Sequence, residues 1–311
     1  MNSMNHDQDI YTSIDALRRL QFKARGFSLV AQQPINSILS GKNASKLRGR
    51  GLNFEEMRQY QVGDDIRTMD WKVTMRTKKP HVKVYSEERE RNVILLVDQR
   101  QSMFFGSKGK TKSVIAAEIA ALMAWQVVAS TDRIGAVVFN DNQVTHIAPK
   151  RSQNQVITVI GDICRYNHKL TSGASQPEHH VSLESMFAQV MRIIGHDALL
   201  IMISDGYGWS DKCGEYVKRI SQHNDIMLCH VTDPLERQLI AMSQMVVSDG
   251  DMQIELTTKK EALQQRFSHD VENAIAKFLS VAHKYRMPMI AFDTLLPTDK
   301  QVRKAFGVVR A

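Results

Sequence analysis

The residues with the most chemical promise follow two apolar runs. Val93-Ile-Leu-Leu-Val97 leads into Asp98-Gln-Arg-Gln-Ser102, and Leu199-Leu-Ile-Met-Ile203 leads into Ser204-Asp205-Gly206. Two carboxylates and a hydroxyl are hard oxygen donors, a set magnesium accepts when waters or a partner carboxylate complete its octahedron. Asp98, Ser102 and Asp205 are therefore the candidate metal ligands. Arg100 disturbs this reading, because a permanent cation stands where a second hydroxyl would sit. Near a divalent ion a guanidinium is repelled, whereas beside two aspartates it is attracted and bonds bidentately. The expectation is a degenerate site with Arg100 in place of the ion and no certain cofactor. The alternative is an Arg100 turned to solvent and a weakened magnesium site.

A second cluster, Gly106-Ser-Lys-Gly-Lys-Thr111, follows a strand and opens a helix as a phosphate-binding loop does. The full motif fails, because Phe104 stands where its first glycine is required. Lys108, Lys110 and Lys112 read more economically as a solvated basic turn. A P-loop-like or metal-dependent hydrolase is thus the second reading, and no catalytic residue is assigned. His168, His179 and His180 flank a Ser/Thr/Gly-rich loop without a suitably spaced fourth zinc ligand. No Ser-His-Asp set has the context of a nucleophile elbow.

The elements that must position these residues alternate. After strand 93–97 the pattern predicts a helix over 112–130, strands 134–139 and 143–147, and helices over 154–166 and 183–194. Strand 198–204, helix 215–223, strand 226–231, a weaker strand pair within 245–256 and a long helix over 260–285 follow. A last strand, 288–292, belongs at the sheet edge or against the first region. Near-continuous apolar strands between amphipathic helices indicate a mainly parallel sheet covered on both faces, an α/β fold. Ligands of such sheets sit beyond the carboxyl ends of the strands, where Asp98 and Asp205 fall. Residues 1–91 read as a smaller α+β region, helical over 7–40 and then Gly-rich and charged with a strand at 81–85. The α/β domain spans 92–292 and a C-terminal tail 293–311.

Composition narrows the function. A chain of 311 residues, 43% hydrophobic and 24% charged, has room for a sizeable core. Its net charge of +8 invites an anionic partner. Acids are nevertheless interleaved with the bases between Lys42 and Arg91, so nucleic-acid binding is only a third reading. Three scattered cysteines suit a reducing cytoplasm. Neither a secretory leader nor a run of about 20 apolar residues is evident.

The stretch Arg48-Gly-Arg-Gly-Leu-Asn-Phe-Glu-Glu-Met-Arg-Gln-Tyr60, then Val62-Gly-Asp-Asp-Ile-Arg67 and Met69-Asp-Trp71, is highly specific. With Arg76-Thr77, Val82-Lys-Val84, Glu87-Glu88-Arg89, the Asp98 loop and Val231-Thr-Asp-Pro-Leu-Glu236, it resembles the bacterial domain of unknown function 58 family over about residues 40–290. The resemblance implies a von Willebrand factor A-like domain behind the Gly-Asp-Asp-Ile-Arg segment. It also implies a non-enzymatic, cytoplasmic or membrane-associated partner of a MoxR-type AAA+ ATPase, helping to mature or remodel a protein client. The metal-ion-dependent adhesion site of such domains is Asp-x-Ser-x-Ser, a threonine on a later loop and an aspartate on a third. Asp98, Ser102 and Asp205 match it. Arg100 replaces a serine, and Val181 falls at the threonine, with Thr171 or Ser182 as substitutes only if the intervening loop folds back. Asp64, Asp65 and Arg67 are the candidate partner-binding residues. The competing structural role has Asp64 and Asp65 capping a turn and pairing with Arg67, while Trp71 fills the junction between the two regions.

Overall fold

The computed structural model describes residues 9–24, 27, 52–87, 90–171, 181–238, 244–248, 253–257, 278, 280–285 and 287–307. They fall into two compact units, one containing Asp9–Ala24 and the chain from Arg91 onward, the other lying within Ile35–Glu90. The expected boundary at residue 91 therefore holds on one side only, because the N-terminal helices belong with the larger unit. Among the described residues those helices are α1 (Ile14–Arg19) and α2 (Gln21–Ala24), and most of the expected helical stretch beyond Ala24 lies outside the described residues. Ser13 caps α1 by accepting from the Ala16 amide, and Leu17, Leu20 and Ala24 enter the core.

The smaller unit is a hairpin with a long connection. Strand β1 (Leu52–Gln59) pairs antiparallel with β2 (His81–Glu87), and a bulge lies between Phe54 and Glu56. Between them come a 3-10 turn at Ile66–Thr68 and helix α3 (Trp71–Thr77). Asp70 caps α3 through the amides of Lys72 and Val73. Thr74 accepts the His81 amide, so the Val73, Thr74 and Thr77 side of α3 faces β2.

The larger unit continues through β3 (Asn92–Asp98), α4 (Lys112–Ala129), β4 (Arg133–Phe139), β5 (Val144–Lys150), α5 (Gln153–Asn167) and α6 (Leu183–Ile193). Then come β6 (Leu199–Ser204), α7 (Asp211–Ile220), β7 (Asp225–Thr232), α8 (Pro234–Gln238), the hairpin β8 (Gln244–Ser248) and β9 (Gln253–Thr257), β10 (Met289–Asp293) and α9 (Thr298–Phe306). The six-stranded sheet has the order β10-β7-β6-β3-β4-β5, parallel except where β5 returns antiparallel to β4. The strand at 288–292 thus takes the sheet-edge option. From central β3 the chain winds to one side, then crosses back to β6 and winds to the other. The reversal between β3 and β6 is the switch point of a doubly wound sheet, where a ligand crevice opens beyond the strand ends.

Every residue of β6 is buried, and only Asn92 of β3 is not, as sheet strands covered on both faces require. Helix α4 is apolar nearly all round and buried along most of its length, because α2, α5 and α9 pack over it. Its length and composition would also allow a membrane span, but it serves here as the core helix. The residues expected as a tail form α9, whose Val302 and Phe306 are buried in the main core, with Phe306 stacked 5.7 Å from Phe27. Cys164, Cys213 and Cys229 are free and buried, and burial pushes the thiols of Cys164 and Cys229 up to about 12.

Candidate functional site

Asp98 closes β3 and is wholly buried. Its carboxylate is bonded from three directions. The Arg100 amide donates to Oδ1 at 3.0 Å, the Arg100 side chain approaches from Nε (3.0 and 3.2 Å) and Nη2 (2.7 Å), and the Ser204 hydroxyl donates at 2.7 Å. Extended backbone at Arg100 lets its side chain fold back over the aspartate two residues before it. Only 6% of Arg100 is exposed, and its guanidinium lies 5.5 Å over the Phe139 ring. Burial alone would lower its pKa, but Asp98, with Asp205 and Asp141 farther off, holds it above the ordinary value. The guanidinium also donates to the Tyr207 carbonyl at 2.9 Å. That carbonyl is turned inward by a loop in which Gly206 and Gly208 both take positive φ.

Asp205 lies one residue beyond β6 and has its own cation. Lys112, the first residue of α4, reaches Oδ2 of Asp205 at 3.0 Å and also bonds Glu236 of α8. Lys112 is 2% exposed, so its expected place in a solvated basic turn is wrong. At the first turn of a core helix, its side chain can satisfy its charge only by running toward the strand ends. Burial would raise the pKa of Asp205, but Lys112, the Tyr207 amide and Arg100 hold it below the ordinary carboxylate value. Burial likewise opposes the charge on Lys112, yet Asp205 and Glu236 raise its pKa overall. Asp233, in the segment that carries Glu236, accepts from the Ser107 amide and the Thr294 hydroxyl. It thereby ties the loop after β3 to the loop after β10.

Asp98 and Asp205 both act on Arg100 and so share one rim, but a divalent ion does not fit beside their cations. A unit charge about 4 Å from a divalent ion is repelled by about 8 kcal/mol at an effective dielectric of 20. Arg100 is already bonded to Asp98, and Lys112 to Asp205. Ser102 Oγ is the one buried side-chain polar atom among the described residues without a hydrogen-bond partner. Ser182 spends its hydroxyl capping α6 through the Ser185 amide. The Val181 amide donates to the Asp141 carbonyl, and Thr171 contributes its carbonyl to Gln101.

The phosphate-loop reading is contradicted at its donors. The Thr111 amide donates to the Asp9 carbonyl, the Lys112 amide to the Phe105 carbonyl and the Val114 amide to Thr111 Oγ1. Lys110 is paired with Glu118. Anion binding at a helix N-terminus needs such amides free. His168 bonds the Thr12 carbonyl and stacks against Tyr11, while His179 and His180 lie outside the described residues.

In the smaller unit, Asp64 accepts both arms of Arg58 (2.8 and 2.9 Å) and the Gln61 amide. Its expected partner Arg67 instead gives a backbone amide to Asp65. The Arg58 hydrogen bond, then the Gln61 amide, set the Asp64 carboxyl below its usual range. The two aspartates hold the turn together, and Arg67 is exposed. Trp71 is 60% exposed, so it does not fill a core.

A mainly parallel sheet wound out to both sides of a central β3, with one antiparallel edge strand and helices packed against it, defines a doubly wound α/β protein. The chain belongs to the family described as protein of unknown function DUF58, whose model matches residues 56–277. Uncharacterised proteins of Mycobacterium bovis and Mycobacterium tuberculosis are 25% identical over 240 residues, covering 75% of this chain and 71% of theirs. Among solved structures, the conserved hypothetical protein BatB from Bacteroides thetaiotaomicron is 12% identical at a TM-score of 0.40, covering 69% of this chain and 96% of that one. The SpRpn10 VWA domain is 10% identical at a TM-score of 0.40, covering 71% and 100%.

Proposed function

We propose that this chain is a non-enzymatic, cytoplasmic adaptor of a MoxR-type AAA+ ATPase that presents a protein client for maturation or remodelling without using a metal ion. Membership of a family of unknown function and a doubly wound fold without an assigned catalytic residue are compatible with a protein-interaction module. One observation carries the finer reading. Both strand-end carboxylates that would hold an ion are neutralised by the chain's own buried cations, Arg100 on Asp98 and Lys112 on Asp205. A rim so neutralised offers no poised base, nucleophile or open coordination position. It does offer surface, since Tyr207, Leu295 and Leu296 stand exposed on the neighbouring loops.

The test is capture of a MoxR-type AAA+ ATPase from the same organism, with magnesium and with excess chelator. Because the ATPase itself uses magnesium–nucleotide, capture is scored in its nucleotide-free state. Equal capture in both conditions is expected, with Asp98→Ala reducing it by unfolding the rim. Capture abolished by chelator, or micromolar binding of magnesium or manganese to the isolated chain, would overturn metal independence. Failure to capture the ATPase at all would overturn the partnership.

A further inference from the structure

The larger unit's rim is not the most exposed apolar surface on the molecule. Between β1 and β2, Val62 is 100% exposed, Ile66 61%, Trp71 60% and Met75 76%. Each is an apolar side chain in water beside a hairpin whose turn is otherwise tightly specified. Exposed Trp and Met in one short segment mark interfaces rather than folding residues.

The geometry of α3 gives this surface a direction. Val73, Thr74 and Thr77 face β2, as the Thr74 and Thr77 bonds to His81 require. At 100° per residue, Trp71, Lys72, Met75 and Arg76 then fall on the opposite side, and all four are exposed. Lys78 and Lys79 extend the basic character past the helix end, and Arg67 precedes it.

Charge identifies the occupant. No ion pair joins Arg67, Lys72, Arg76, Lys78 or Lys79 to an acid among the described residues. The acids nearest in the chain are engaged, Asp64 by Arg58, Asp70 by Lys83 and Asp65 in its turn. We infer that the outer face of α3, with Trp71 and Met75 among Lys72 and Arg76, docks an acidic protein surface that has an apolar pocket for Trp71.

Trp and Arg dominate interface hot spots, and unpaired cations favour a carboxylate-rich partner and speed its approach. A second copy of this chain is disfavoured, because a two-fold interface would set this basic face against itself. An anionic bilayer would offer the same charge but no shaped pocket for Trp71, and vesicle binding is therefore an outcome of the test below. This inference rests on the adaptor reading and names the surface through which it works.

The experiment uses the full chain and a MoxR-type AAA+ ATPase from the same organism as probe. Trp71→Ala/Met75→Ala should weaken capture roughly tenfold or more, as loss of a hot spot does. Lys72→Glu/Arg76→Glu should do the same and should remove most of the salt dependence. Both variants alter exposed side chains, so an unchanged melting temperature is expected alongside. Capture by wild type and by both variants alike overturns this surface and leaves the adaptor reading standing. No capture by wild type overturns both. Sedimentation with phosphatidylglycerol vesicles that is lost in the variants, with ATPase capture intact, assigns the face to a membrane and overturns the protein partner. Self-association lost in the variants, again with capture intact, also overturns it.

Discussion

Asp98 and Arg100 are two residues apart, and their pairing follows from that proximity. A carboxylate leaving a buried strand with an arginine this close has a strong reason to be bonded by it. The second pair was hidden, because Lys112 lies 93 positions from Asp205 and 124 from Glu236. Only the fold brings those charges together, so the sequence showed a basic turn. Replacing Arg100 by serine should leave Asp98 buried with no cation and cost about 3–5 kcal/mol in chelator. Millimolar magnesium should recover part of that loss in Arg100→Ser and leave wild type unmoved. A variant melting temperature indifferent to magnesium would show that Lys112 alone is enough to exclude the ion. The depressed pKa of Asp205 gives an acid-limb prediction. Its stabilisation is present above about pH 4, the unfolded value, and is lost as pH falls through the lower folded value. Asp205→Asn should therefore flatten the acid limb of melting temperature against pH. At neutral pH it should cost about 3 kcal/mol, the low end for breaking a buried pair, because Glu236 still faces Lys112. An acid limb identical to wild type would refute the pairing.

At the scale of elements, alternation was legible, and long-range docking was not. Thr111, Ser152, Ser182 and Ser210 each cap the helix they precede, and the Ser210 cap starts α7 at Asp211, ahead of the expected start at 215. The N-terminal helices were read into the wrong unit because nothing local reveals what holds them. The tie is a buried relay in which Asn167 donates to Gln99 at 3.1 Å and accepts the Thr12 amide at 2.8 Å. Gln99 in turn donates to the Ser113 carbonyl at 3.0 Å. Asn167→Ala should strand two buried polar groups, costing about 1–3 kcal/mol. Amide exchange should accelerate from Thr12 through Ala24, and unchanged exchange there would deny the relay its role.

For the whole molecule, the sheet, its switch point and the placement of Asp98 and Asp205 followed from apolar runs of strand length. The end of the chain did not, because a nine-residue amphipathic segment after the last strand reads equally well as a frayed tail. Its packing against α4 makes it part of the core instead. Phe306→Ala should lower stability by about 3–5 kcal/mol. A cost within the range of surface substitutions would mean that α9 is dispensable. Truncation before Thr298 should be more severe, since it uncovers the central helix.

An ion in solution has a dissociation constant, and a site built for it exists in two populations whose ratio follows the surroundings. Arg100 has neither property. It is delivered by the same chain as the carboxylate it neutralises, at an effective concentration set by two residues of backbone rather than by any compartment. The charge of Asp98 is therefore met by a residue two positions on, whatever the concentration of ions around it.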